Sequence, residues 1–197
     1  MSYHIYTTKG IVLKDRALKE ADKSVKILTR DFGLINAIAV GARKGSSKRS
    51  PALTELSLGK FSLVRGKKDW RLTNAELELN VYSSFKNNKK ILHAIAKPLS
   101  LVEKLVQGEE KNKHPFDIFD ESISFANNTN LNSDEIKNFE IFTVAKLLGE
   151  LGYLNKEDAA YVFIKEPLSK KTLSDIAPSR QQLIRLINKG IGASGLV

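Results

Sequence analysis

"KSVKILTRDFGLINAIAV" (Lys23–Val40) is the stretch that decides how the first part of this chain folds. Lys23–Arg30 and Leu34–Val40 are short, rich in β-branched residues and often alternate apolar with polar, and Asp31–Gly33 between them has the composition of a tight hairpin turn. The same reading extends outward in both directions. "YHIYTTKGIVLK" (Tyr3–Lys14) upstream, and "GKFSLVRG" (Gly59–Gly66) and "WRLTNAELE" (Trp70–Glu78) downstream, have strand character, with "GKKD" (Gly66–Asp69) as the turn joining the last two. Five strands within residues 3–80, linked by basic loops, predict a small barrel such as an OB-fold, with an SH3-like barrel as the near competitor.

From Tyr82 the apolar period lengthens. Ile91, Leu92, Ile95, Leu99, Val102, Leu105 and Val106 recur near a helical repeat, and Pro98 is expected to kink or divide that helix. Pro115 suits the first turn of a second helix through Asn128. A third starts at Asn132, which has Glu135 at capping-box spacing, and carries a stripe of Ile136, Phe139, Phe142, Val144, Leu147, Leu148 and Leu151 that ends at Gly152. A last helix is expected from Ser179, with Gln182 at the same spacing. The fold class expected is therefore α+β: a five-stranded OB-fold barrel over residues 1–80, followed by an α-helical domain over 81–197. Residues 154–178 fit no clear pattern.

Charge divides at the same place. The 197 residues carry a formal net charge of +10. Residues 1–80 hold 16 Lys/Arg against 8 Asp/Glu, whereas residues 81–197 hold 16 against 14. A surplus gathered in one segment points to a face that binds a polyanion. The absence of cysteine excludes disulfides, thiolate metal sites and cysteine nucleophiles. No apolar run approaches membrane-span length and no signal-peptide pattern opens the chain, so a soluble, cytoplasmic protein is expected. The histidines at 4, 93 and 114 have no metal-ligand spacing, and "GKK" at Gly66 lacks the rest of a phosphate-binding P-loop. No catalytic residue, metal or cofactor is expected.

"GARKGSSKRSPAL" (Gly41–Leu53) is the most basic loop, and its two glycines and three serines lead us to expect a mobile one. Arg43, Lys44, Lys48 and Arg49 supply donors for phosphate oxygens. Further cations lie on "KDRALKEADKSVK" (Lys14, Arg16, Lys19, Lys23, Lys26), at Arg30, and on "RGKKDWR" (Arg65, Lys67, Lys68, Arg71). Trp70, the single tryptophan, is placed by sequence either as a stacking platform for an unpaired base or as a rim residue of the barrel core.

An ordered set of segments over residues 9–80 resembles the N-terminal domain of the RecO family of bacterial recombination mediators. These are "GIVL" (Gly10–Leu13), "EADK" (Glu20–Lys23), "LTRDFGLI" (Leu28–Ile35) and "GARK" (Gly41–Lys44) with the serines behind it. "FEIFTVAKLLGELGY" (Phe139–Tyr153) resembles the helix that precedes that family's variable C-terminal region. The resemblance implies an OB-fold and a helical domain without enzymatic turnover. It implies binding of single- and double-stranded DNA, annealing of complementary strands and, with RecR, assisted loading of RecA onto DNA coated by single-strand-binding protein, whose acidic C-terminal tail is met in the helical domain. Lys90, Lys97, Lys104 and Lys146 are available there. Arg43 and Lys44 match the family's loop pattern, and Lys23, Arg30, Lys48 and Arg49 are carried over by position; Lys26 and the 65–71 cluster enter on charge alone. A cytoplasmic, nucleoid-associated location follows. Many relatives carry a four-cysteine zinc module after the Phe139–Tyr153 helix, where this chain has Leu154–Ala177 and no cysteine. An RNA-binding OB-fold module is the alternative reading, since phosphates and base faces are common to both nucleic acids. A third reading, a scaffold whose basic face meets an acidic protein tail, is compatible with the first.

Overall fold

Gly33 turns the Lys23–Val40 hairpin at φ +68°, a conformation that glycine adopts without a Cβ penalty. The Thr29 hydroxyl accepts from the Phe32 N–H at 3.1 Å and donates to the Gly33 carbonyl at 2.8 Å. In the computed structural model, which describes residues 4–67, 69–106, 114–193 and 195, this turn joins β2 (Asp22–Thr29) to β3 (Gly33–Ala39) in antiparallel register from Thr29↔Gly33 to Lys23↔Ala39.

The other strands close around this hairpin. β1 (Ile5–Leu18) is long enough to serve two neighbours: Ile5–Ile11 pair with β4 (Ser57–Arg65), and Gly10–Leu18 pair with β2, with a register shift between Val12 and Lys14. β4 pairs antiparallel with β5 (Trp70–Asn80), and β5 meets β3 in a parallel contact of only two rungs, Ala37↔Trp70 and Ile38↔Arg71. The result is a closed barrel in the order β1-β2-β3-β5-β4, an OB-type barrel as expected. Sequence alternation ended the first strand at Lys14. The strand runs on to Leu18 because β2 supplies a partner for every residue from Lys14 onward.

Val12, Val25, Ile27, Ile35, Phe61 and Leu63 fill the barrel at 0–1% exposure. The loop after β3 contributes to this core: a 3-10 turn, Ser50–Leu53, buries Ala52 and Leu53, and Ala42 is also buried. Alternation of inward apolar and outward polar side chains leaves the outer barrel surface for recognition.

The chain packs as two compact units, residues 1–84 with 106–116, and residues 85–105 with 117–197. In the second, α4 (Ser133–Glu150) is the central element, packed by α2 (Lys89–Leu105), α6 (Lys170–Ile176) and α7 (Arg180–Ala193). α1 (Val81–Phe85), α3 (His114–Asn128) and α5 (Val162–Lys165) complete the helices among the described residues. The capping box is present: the Asn132 side chain accepts from the N–H groups of Asp134 and Glu135, and Glu135 accepts from the Asn132 N–H at 2.7 Å. Pro98 does not divide α2. Its ring is buried within the continuous helix, so burial offsets the backbone hydrogen bond that proline cannot make. Ser179 does not cap α7, because a 3-10 turn, Ala177–Ser179, feeds helical backbone directly into it; the serine that caps is Ser169, whose hydroxyl accepts from the Thr172 N–H at the start of α6.

A buried amide joins the helices around α4. Asn138 on α4 is 3% exposed; its Nδ2 donates to the Leu173 carbonyl on α6 at 2.8 Å, and its Oδ1 accepts from Arg180 Nε on α7 at 2.8 Å. One side chain thus ties three helices. We expect Asn138→Ala to strand both partners and cost roughly 1–3 kcal/mol of stability, measured by thermal unfolding, whereas a chelator leaves the unfolding temperature of the wild type unchanged.

Candidate nucleic-acid interface

The basic loop after β3, expected to be mobile, is tied to the barrel at Gly41, Arg43 and Arg49. Gly41, at φ +69°, donates its N–H to Asp22 Oδ1 at 2.8 Å, and the Arg43 N–H donates to the Ala21 carbonyl at 2.9 Å. Arg43 Nη1 then donates to the carbonyls of Lys19 and Glu20, both at 3.0 Å. The "EADK" and "GARK" segments therefore clasp each other. Lys23 is equally occupied: its Nζ lies 2.8 Å from Asp15 Oδ2 and 3.2 Å from the Leu53 carbonyl, and its side chain is 15% exposed.

Arg49 has the most structural position of all. Its Nη2 donates to the Val40 carbonyl at 2.8 Å, and its Nη1 donates to the carbonyls of Leu72 and Thr73 at 3.3 Å each. Val40 directly follows β3, and Leu72 and Thr73 lie on β5. The guanidinium fork therefore bridges the two strands just beyond the point where their backbone ladder ends. From this loop, Lys44 and Lys48 extend as exposed cations.

Trp70 is 4% exposed and part of the barrel core. Phe32 lies 4.9 Å from its ring, Tyr6 meets it edge-on at 5.6 Å, and the Arg65 guanidinium sits 4.7 Å over its centroid. Of its two sequence readings the rim-of-core one holds, because the indole faces are already covered. Lys68 lies outside the described residues.

Strand register shows what the sequence could not order. Exposed and half-buried positions follow one another across the barrel: Arg16↔Ser24↔Ile38↔Arg71↔Val64↔Ile5 form one rung that leaves β1 at Arg16 and returns to it at Ile5, eleven residues earlier, with Ser24, Ile38 and Val64 half-buried. None of the six is acidic. The adjacent rung sets Lys14 opposite Lys26 and Lys26 opposite Asn36. Like charges directly across a ladder repel, and an anion lying over both relieves that repulsion. Lys14 and Arg16, which reading of the sequence had left as general charge, thus stand beside Lys26 on one face of the barrel, because their strand assignment was needed to bring them there. Arg30 is set apart, beyond the end of β2. With Lys9, Lys60, Thr7, Thr8 and Asp31 it lines a polar recess of about 400 Å³.

Arg65, Lys67, Asp69, Arg71 and Thr73 line a groove of about 1020 Å³, together with Ile5, Ile38 and Val64. In the helical unit, a smaller concavity of about 490 Å³ is floored by residues such as Leu101, Ile141, Ile184 and Ile187, with Lys97, Lys137 and Arg180 among its lining. Of the four lysines considered for that unit, Lys97 alone lines it. Lys90 donates to Ser133 Oγ at 2.9 Å, and Lys146 lies 3.5 Å from Glu121 and 5.3 Å from the Phe142 ring centroid. Among the described residues no group of three or more acidic, histidine or cysteine side chains is arranged to hold a metal ion, and no helix is long and apolar enough to cross a membrane.

A closed OB-type barrel with cations gathered in rows on its outer surface, followed by helices, defines the class of the chain. Residues 1–80 match the model of the family described as Recombination protein O N terminal. Among curated relatives, the DNA repair protein RecO of Clostridium perfringens is 33% identical over 164 residues, covering 81% of this chain and 63% of that protein. RecO of Caldanaerobacter subterraneus subsp. tengcongensis is 27% identical over 156 residues, covering 79% and 61%, and that of a Synechococcus strain is 43% identical over 67 residues, covering 34% and 24%. The N-terminal barrel belongs to the RecO family. The chain spans about six tenths of the length of the first two of these relatives.

The hydrogen bonds separate fold from ligand contact within one loop. We expect Arg49→Ala to lower stability by roughly 0.5–1.5 kcal/mol through loss of its hydrogen bonds to three carbonyls, whereas Lys44→Ala and Lys48→Ala stay within about 0.5 kcal/mol of wild type. Emission of the single tryptophan, buried in the native barrel, reports both transitions.

Proposed function

We propose that this protein acts in DNA repair and recombination as a binding protein without turnover. Its barrel, residues 1–80, holds single- and double-stranded DNA and brings complementary strands together; with RecR it assists loading of RecA onto DNA coated by single-strand-binding protein, in the cytoplasm and on the nucleoid. The observation that carries this reading is the gathering of Lys14, Arg16 and Lys26 on adjacent rungs of a barrel that belongs to the RecO family. Such rows neutralise successive phosphates and release counterions, which gives affinity without base-specific contacts. The exposed Lys44 and Lys48, and Arg65, Lys67 and Arg71 around the groove, add to the same field.

The concavity in the helical unit suits the acidic tail of single-strand-binding protein. Its apolar floor accepts side chains, and Lys97 and Arg180 sit where a carboxylate would meet them, although Lys97 is now paired with Glu140 at 2.7 Å. An incoming carboxylate would exchange with Glu140 at that lysine.

Titration into fluorescent single-stranded DNA at several salt concentrations tests the first part. Lys14→Ala, Arg16→Ala and Lys26→Ala are each expected to flatten the dependence of log affinity on log salt by roughly 0.7–0.9, and the triple variant to slow pairing of complementary strands. Unchanged slopes would remove this face from the interface. For the tail, Ile184→Glu in the wall of the helical concavity, itself 38% exposed, is expected to abolish binding of the acidic peptide and leave DNA affinity as it was.

A further inference from the structure

The rung that circles the barrel changes chemistry as it crosses from β2 to β3. On β1 and β2 it presents Arg16 and Ser24; on β3, β4 and the start of β1 it presents Ile38, Val64 and Ile5, with Arg71 among them. Outward positions of an antiparallel barrel are ordinarily polar. Here three branched aliphatic side chains gather in one groove of about 1020 Å³, and Ile5 is 57% exposed. Val40, at 60% exposure, extends the aliphatic character just past the end of β3. Cations flank the groove at Arg65, Lys67 and Arg71, against one carboxylate, Asp69, among the described lining residues.

An apolar floor with a cationic rim fits a ligand whose flat apolar faces and anionic groups alternate along its length. An unpaired nucleic-acid strand has that chemistry, whereas a duplex turns its base faces inward, beyond the reach of aliphatic side chains at the bottom of a groove. Continuity with the cationic rungs favours this occupant over an acidic peptide, because the groove is the same rung continued. Five strand-to-strand steps of about 4.8 Å carry that rung roughly 24 Å around the barrel, a path suited to the lower end of the about 4–16 nucleotides an OB-fold covers. With Trp70 turned into the core, the floor holds bases by apolar contact and not by aromatic stacking.

We propose that the groove over β4, β5 and the start of β1 receives the unpaired bases of a single strand whose phosphates lie on Arg65, Lys67 and Arg71, and that Ile5, Ile38 and Val64 are what separates single strands from duplex in this protein. The proposal rests on the nucleic-acid reading above. It places base contact on the far side of the β3–β5 seam from the β2–β3 face, which OB-folds more commonly use with the flanking loops.

The test compares an oligothymidylate with a blunt duplex of equal length, binding to the full chain and to an Ile5→Gln/Ile38→Gln variant that leaves net charge unchanged. We expect single-strand affinity to fall roughly tenfold, since apolar contact is lost at two positions, with duplex affinity and both salt slopes held. Equal losses for the two DNA forms, or no loss for either, overturn the assignment. So does a variant that keeps single-strand affinity but loses affinity for polyglutamate, which would make the occupant a protein segment. A wild type that binds neither DNA form would instead fail the underlying function. Photocrosslinking of bromodeoxyuridine-substituted oligonucleotide to the wild type gives an answer independent of variant folding: adducts at Ile38, Val64 or Ile5 support the groove, and adducts confined to residues 14–26 overturn it.

Discussion

Closure of the barrel across the β3–β5 seam is the constraint on which the rest of this domain depends. Two parallel rungs are the whole backbone ladder between those strands, and past Ile38 the carbonyls of Val40, Leu72 and Thr73 are met by a side chain. Arg49 supplies the donors from a loop distant in sequence from β5. The rigid guanidinium fork sets its N–H groups in fixed directions toward carbonyls of both strands, a geometry that a flexible lysine does not reproduce. The remainder of the Gly41–Leu53 loop secures that arginine's approach: the Gly41 and Arg43 amides anchor its start to the β1–β2 turn, while Ala52 and Leu53 sink its end into the core.

The same loop illustrates how a basic segment divides its labour. Arg43 and Arg49 spend donors on backbone carbonyls, and Lys23 on Asp15, so these cations belong first to the fold. Lys44 and Lys48 do not enter that scaffold. The "EADK" and "GARK" segments are in this light the two halves of one clasp, and a motif that binds a ligand and a motif that holds the fold look alike in sequence. Strand register then brings Lys14, Arg16 and Lys26 together on adjacent rungs, the surface proposed for a polyanion.

In the helical unit the corresponding constraint is a buried amide. Asn138 offers one donor and one acceptor in fixed geometry to α6 and α7, and each bond is strengthened by the apolar surroundings that exclude water. Glu135 reinforces it from the first turn of α4, where it accepts from the Asn132 amide and lies 3.7 Å from Lys170 at the start of α6. Hydrogen bonds from one side chain thus organise these C-terminal helices.

By itself the sequence determined the five strands, the change to helices near residue 80, the Asp31–Gly33 turn, the Asn132 capping box and the concentration of positive charge in the barrel, because each is written in local periodicity, in turn chemistry or in composition. The length of β1 and the persistence of α2 through Pro98 escaped it, since there a pairing partner and burial overrode local preference. So did the inward turn of Trp70 and the work of Arg49, for a sequence does not say which neighbours cover a ring or which carbonyls lack a donor. Only the tertiary structure decided which cations share a face and that Ile5, Ile38 and Val64 share a groove, because closing a sheared barrel brings into one rung residues that stand far apart along the chain.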